Sequence, residues 1–303
     1  MSALLSASIL SRGLKAEGGA EARAARMMSA LDAAEEDLRS EAVPLRARGV
    51  VTLTRVNMDT AVAGRLMDTY ARMTGDGDSY VYLAAVQGLA ALADALPGWS
   101  IPRLVGIFTA ADATAADATP GSASGMAAGR SPAAATPLPL AQRLKIGEAV
   151  LLSARRCGDA MPKYAHLFVN AFVNEKPPSL LESKERYHFR ASCLSNLAEV
   201  CQLLRWSLGR YSHDIVDLAA GVLSMETGGS EESTLARRGA SFLLGRVLRG
   251  AGGDVLEMVP AAELRVAYRA LKRAAESDRD EVTRSHARNG LGYLDAAIRG
   301  QLF

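Results

Sequence analysis

The stretch FRASCLSNLAEVCQ, residues 189–202, carries Cys193 between Ser192 and Ser195, with His188 just before it and Cys201 near its end. A thiol or hydroxyl beside an imidazole is the raw material of covalent catalysis, in which the base takes the proton and the freed atom attacks. That chemistry needs the two side chains within hydrogen-bond reach. On a helix, five residues turn the chain by about 140°, so His188 and Cys193 leave on different faces. Residues three and four apart share a face: Ser192, Ser195 and Glu199 form one stripe, and Cys193, Leu197, Val200, Cys201 and Leu204 another. Cys193 therefore belongs to an apolar stripe, where a small thiol reads as packing. We expect no nucleophile at Cys157, Cys193 or Cys201, and no enzyme.

Other chemistry-bearing clusters read the same way. Asp76 and Asp78 in GDGDSY, and Asp278, Asp280 and Glu281 in DRDEVT, invite a cation, but neither continues into a calcium loop closed by a glutamate. Acidic turn and helix-capping residues account for both. GRSP, GLG and GAGG lack the preceding strand and the following Lys-Ser/Thr of a phosphate loop. The three cysteines form no CxxC pair and stand at no zinc-like spacing from a histidine. No catalytic, metal or cofactor residue is expected.

The arginines are more informative. Arg143, Arg190, Arg237 and Arg284 are each 47 residues apart. Three positions after each comes a small or apolar residue (Ile146, Cys193, Ala240, Ala287), and seven after each comes Val150, Leu197, Leu244 or Leu291. Offsets of zero, three and seven lie on one helix face, so one helix recurs with one face. Between these helices lie MPKYAHLFVNAFV (161–173), YSHDIVDLAAGVLSM (211–225) and AAELRVAYRALKRAAE (261–276), separated by Gly158-Asp159, Gly228-Gly229, Gly250 to Gly253 and the turn SDRDE. Upstream, helices are read over 21–39, 43–56, 58–73 and 80–96. Two helices per 40–47 residues is the HEAT or armadillo period, and each hairpin hides its apolar face only by stacking on the next. The expected fold is all-α, an α-solenoid of about six such hairpins over 21–303. Residues 1–20 read as a frayed start. Residues 111–139, rich in Ala, Pro, Gly, Ser and Thr, read as a disordered loop whose removal leaves the fold standing.

Six residues before Arg237 stands Glu231, and six before Arg284 stands Asp278. An acid in a turn and an arginine early in the next helix, bridged by hydrogen bonds often to the neighbouring unit, suggest a ladder that sets how hairpins stack, interrupted at Arg143 and Arg190, where Pro137 and Lys184 take the acid's place. The alternative is a ridge of Arg143, Arg190, Arg237 and Arg284 that docks an acidic partner. Two further expectations test the faces: Leu197→Asp unfolds the array locally, whereas Glu199→Ala on an exposed face changes little.

Composition sets the class. Aromatic residues are only 5% of the chain, and alanine and leucine recur throughout, which favours helix over sheet. Net charge is +2 with both signs interspersed, so no basic block for nucleic acid is visible. An odd cysteine count without a clear secretory segment indicates a reducing compartment. The longest apolar run, residues 81–96, contains Gln87 and Asp94 and falls short of the roughly 20 residues a membrane span needs.

The segments PLRARGVVTLTRV, YVYLAAVQGLAALAD, RLKIGEAVLLSARRCGDAMPKY, RASCLSNLAEVCQLL and DRDEVTRSHARNGLGYLD resemble, in that order, the C-terminal part of a eukaryotic family. Its members are the Rtp-type RNA polymerase II nuclear import and assembly factors and their animal relatives, named for transport and Golgi organisation. The resemblance runs from about residue 40 to 300 and implies a HEAT-type scaffold that handles RNA polymerase II subunits in the cytoplasm and helps the enzyme reach the nucleus. Its implied partners are those subunits and assembly or import factors. The animal branch implies an alternative, an adaptor in protein secretion and Golgi organisation.

Overall fold

The structure, a computed structural model, describes residues 22, 25–54, 60–109, 138–174 and 184–302. The expected frayed start and the expected loop over 111–139 lie outside the described residues, apart from the loop's last two positions. Among the described residues there is no strand, and the fold is all-α. The chain divides into two units, Met1–Leu96 and Pro97–Phe303.

The first unit holds α1 (residues 25–38), α2 (Val43–Thr54), α3 (Thr60–Met73) and α4 (Ser79–Ala95). Asp78 starts α4, its carboxylate accepting from the amides of Tyr80 and Val81. α4 buries Val81, Ala85, Leu89, Leu92 and Ala93, and both α2 and α3 pack on it. The α3–α4 contact is unusually close: the ring of Tyr70 is fully buried, and a Cβ at Gly88 would stand 2.5 Å from it. Only glycine leaves room there.

The second unit begins with α5 (Pro97–Thr109), a helix with a weak local signal. Gly98, Gly106 and Pro102 all argue against it locally, Pro102 by removing an amide donor from the helix interior. Tertiary burial overrides that cost: Ile101, Leu104, Val105 and Phe108 are buried, and α5 packs on the two helices that follow. Those are α6 (Leu140–Arg156) and α7 (Met161–Val173), after which come α8 (Lys184–Leu204), α9 (Ser212–Met225), α10 (Glu231–Ala251), the short α11 (Val255–Met258), α12 (Ala261–Ser277) and α13 (Glu281–Leu302).

The architecture follows from the apolar period. Each long helix packs on the next long one, α6 on α8, α8 on α10 and α10 on α13. Each shorter helix packs on the long helix after it, α5 on α6, α7 on α8, α9 on α10 and α12 on α13. The repeating positions Ile146, Cys193, Ala240 and Ala287 are all buried, as are Val150, Leu197 and Leu244, while Leu291 on the last helix is half-buried. Small residues set the spacing of the last pair, since a Cβ at Gly290 would lie 3.3 Å from the Cα of Gly245. α10 ends at Gly252, whose φ of 58° is left-handed backbone that glycine adopts without strain.

Candidate functional site

The residues that first suggested catalysis are dispersed by the helix. Cys193 and Cys201 are buried on the packing face of α8, whereas His188 is exposed. Burial pushes the Cys201 thiol above its ordinary value, which disfavours the reactive thiolate. Ser195 spends its hydroxyl on the carbonyl of Ala191, 3.0 Å away on its own helix. Among the described residues no group of three or more His, Cys, Asp or Glu side chains is arranged to hold a metal ion.

The aspartates of the two acidic turns have other duties. In GDGDSY, Asp76 accepts the amide of Asp78 at 2.8 Å, and Asp78 caps α4. In DRDEVT, Asp278 accepts the amide of Asp280 at 2.9 Å, and Asp280 Oδ2 accepts from both the amide and the hydroxyl of Thr283 at the start of α13. The first aspartate of each pair also receives an arginine from an earlier hairpin. Arg46 on α2 reaches Asp76 with Nε at 2.8 Å and Nη2 at 3.1 Å. Arg237 on α10 reaches Asp278 with Nε at 2.8 Å and Nη2 at 3.3 Å. The other arm of each guanidinium donates to main-chain carbonyls just before its own helix, those of Ser40 and Glu41 for Arg46 and of Glu226 and Gly228 for Arg237. This is one device built twice, a bidentate clamp that ties a helix end to the turn of the next hairpin.

Arg237 thus pairs with the acid of the neighbouring hairpin. Glu231 does not pair with Arg237: it opens the same helix six positions earlier, about 240° around the axis, and is exposed. Asp278 instead gives its carboxylate to Arg237 and its main-chain carbonyl to Arg284 Nη1, at 2.6 Å. Arg284 also holds Glu281. No interruption occurs at Arg190, whose Nη1 lies 3.9 Å from Glu226 in the turn after α9. Lys184 pairs with Glu232 at 3.2 Å. Arg143 donates from Nε to the carbonyl of Phe108 at 3.0 Å and lies over the rings of Phe108 and Phe189. Arg143, Arg190 and Arg237 are buried and Arg284 half-buried. A ridge made of these four would present no exposed guanidinium at three of its positions.

Two further ties were not anticipated. Glu199 is half-buried rather than exposed, and its carboxylate bridges Arg155 on α6 at 3.3 Å and Arg246 on α10 at 3.1 Å. Arg238 forks onto Asp280 at 2.9 and 2.7 Å. That guanidinium, aided by the Thr283 amide and hydroxyl and opposed by partial burial, holds the Asp280 carboxyl well below the usual carboxylate range. The available signal was the acid at the end of each following short helix: Asp76, Glu226 and Asp278. The arrangement as a whole sets permanent cations against carboxylates and carbonyls of packed helices.

Comparison with known proteins adds identity to this geometry. Residues 31–160 match the family model described as "Required for nuclear transport of RNA pol II C-terminus 1", and residues 264–296 match "Required for nuclear transport of RNA pol II C-terminus 2". The Drosophila melanogaster protein "Transport and Golgi organization protein 6" is 34% identical over 157 residues, which is 50% of this chain and 15% of that relative. The chain thus spans only a small part of the length of the relative it matches. With both C-terminal models matched in chain order, the first across α1 to α6 and the second across α12 and α13, this chain belongs to the family described as required for nuclear transport of RNA polymerase II.

Proposed function

We propose that the chain is a non-enzymatic scaffold, a HEAT or armadillo-type solenoid segment that binds proteins during cytoplasmic assembly and nuclear import of RNA polymerase II. Its partners are polymerase subunits and the factors that assemble or import them, and it works in the cytoplasm with passage to the nucleus. The observation that carries this reading is the ordered pair of family matches laid on stacked helical hairpins. Stacked hairpins offer long surfaces for partners, and buried thiols beside an exposed histidine support a binding role over catalysis. Among the described residues no helix is long and apolar enough to cross a membrane.

The name of the fly relative favours a second reading, an adaptor in secretion and Golgi organisation. Affinity purification of the tagged chain from cells, followed by mass spectrometry, separates the two. Polymerase subunits and assembly chaperones are the expected recovery. Coat or Golgi proteins in their place would transfer the proposal to the second reading, and recovery of neither would refute both.

A further inference from the structure

The sequence shows no basic block, yet the structure makes one on α12. Leu264, Ala267, Leu271 and Ala274 of that helix are buried. The opposite face exposes Arg265, Arg269, Lys272 and Arg273, about 12 Å of helix with cations three and four apart. Arg279 is exposed in the turn just beyond. None of these five makes an ion pair with a described residue, while neighbouring Arg237, Arg238, Arg284 and Arg288 all do. The acids on α12 do little to balance them: Glu263 is engaged by His213 at 3.2 Å, which leaves Glu276. Tyr268, 41% exposed, stands among the cations.

This face runs into a groove between α9 and α12. The groove has a cavity of about 210 Å³, floored by Ala220, Leu223, Ala270 and Ala274 and edged by Arg273 and Arg279. The three other charges that border it are already committed, Arg237 and Asp278 to each other and Glu226 toward Arg190. We propose that this groove and the cationic face of α12 bind an acidic segment of a partner protein, one that seats an aliphatic side chain on the alanine-leucine floor and sets its carboxylates against Arg269, Arg273 and Arg279. The proposal rests on the scaffold reading only in taking the occupant to be a protein.

Charge and shape select this occupant. A bilayer would be met by a row of apolar residues projecting outward, but those of α12 point into the fold apart from Val266 and Tyr268, which stand among the cations. A nucleic acid would use a field far more basic than a net charge of +2 supplies, and its phosphates would have no use for an apolar floor. Unpaired arginines beside a partly apolar groove match carboxylates next to an aliphatic group, in the arrangement of a hot spot with a charged rim.

The test uses the whole chain and labelled synthetic probes. These are a glutamate-leucine peptide, a glutamate-serine peptide of equal charge, a single-stranded oligothymidine, and vesicles containing phosphatidylserine. Fluorescence anisotropy should show saturable binding of the glutamate-leucine peptide, weaker binding of the serine version, and loss of affinity with added salt. The double variant R269E/R273E should weaken binding by about tenfold or more, whereas R210E, an exposed arginine elsewhere, should leave it unchanged. Ala270→Phe, which fills the groove, should weaken the leucine peptide and spare the serine one. All the substituted side chains except Ala270 are exposed, and unchanged circular dichroism will show that the helices stay folded. Equal binding of both peptides, tighter binding of the oligonucleotide or vesicles, or indifference to the charge reversal would overturn the proposal. Because the probes are synthetic, a failed purification of polymerase subunits would leave this result standing, and the reverse also holds.

Discussion

Removing the carboxylate of Asp278 should cost far more stability than removing that of Asp280, two residues away. The side chains of Arg237 and Asp278 are each 7% exposed, with N–O distances of 2.8 and 3.3 Å. Breaking one side of a buried ion pair costs about 3–5 kcal/mol, because a desolvated charge is left behind. Some of that is recovered here, since Arg237 Nη1 keeps the Gly228 carbonyl at 2.8 Å and the Ser233 hydroxyl at 3.0 Å. The amide of Asp280 also loses its acceptor, adding about 1 kcal/mol. Asp278→Ala should therefore destabilise by about 3 kcal/mol. Asp280→Ala loses a cap on α13 and a pair to Arg238, whose side chain is 39% exposed. That should cost no more than about 2 kcal/mol.

Urea unfolding followed by circular dichroism gives the totals. Segment-resolved hydrogen exchange is needed beside it, because packed helices of a long chain need not unfold as one unit. Asp278→Ala should speed exchange in α10 and α13 before it does so in α6. The double variant Arg237→Met with Asp278→Leu should lie closer to the parent than Asp278→Ala does, as apolar replacement of both partners removes the stranded charge. If Asp278→Ala cost less than Asp280→Ala, or if the double variant were the least stable of the set, the buried clamp would not be what ties α10 to the following turn.

Gly88→Ala puts a methyl 2.5 Å from the fully buried Tyr70 ring and should destabilise the first unit by about 1–3 kcal/mol by overpacking, read from thermal melts of the chain. Leu197→Asp places a charge at a fully buried site and should unfold the surrounding helices, whereas Glu199→Ala, which loosens Arg155 and Arg246 at a partly exposed bridge, should cost at most about 1 kcal/mol in urea titrations. Thiol labelling should be slow at Cys193 and Cys201, which react only through local opening, and faster at half-buried Cys157, as peptide mapping will show. The lowered Asp280 carboxyl means that the folded chain binds fewer protons there than the unfolded one. Its contribution is full at neutral pH and fades as pH falls below about 4 toward the folded value, so Asp280→Asn should flatten the acid limb of stability against pH.

The helices legible from the residues alone are those whose pattern is local. MPKYAHLFVNAFV is a helix from Met161 to Val173, as its spacing requires, and the 47-residue recurrence of Arg143, Arg190 and Arg237 marks three buried, equivalent positions. A helix face depends on a 3.6-residue turn and nearby hydrogen bonds, which a short window of sequence contains. α5 escaped because Pro102 and two glycines spoil its local signal, while the burial that holds it comes from helices beyond residue 140. The site divides along the same line. That periodic arginines and turn acids are candidates for pairing could be read from the residues. That Arg237 takes Asp278 rather than Glu231, that Glu199 spans three helices, and that the cations of α12 share an unpaired face were decided by the fold. Ion-pair partners are chosen by which helix ends meet when hairpins stack, and that meeting brings together side chains 41 residues apart, a separation at which local periodicity carries no information.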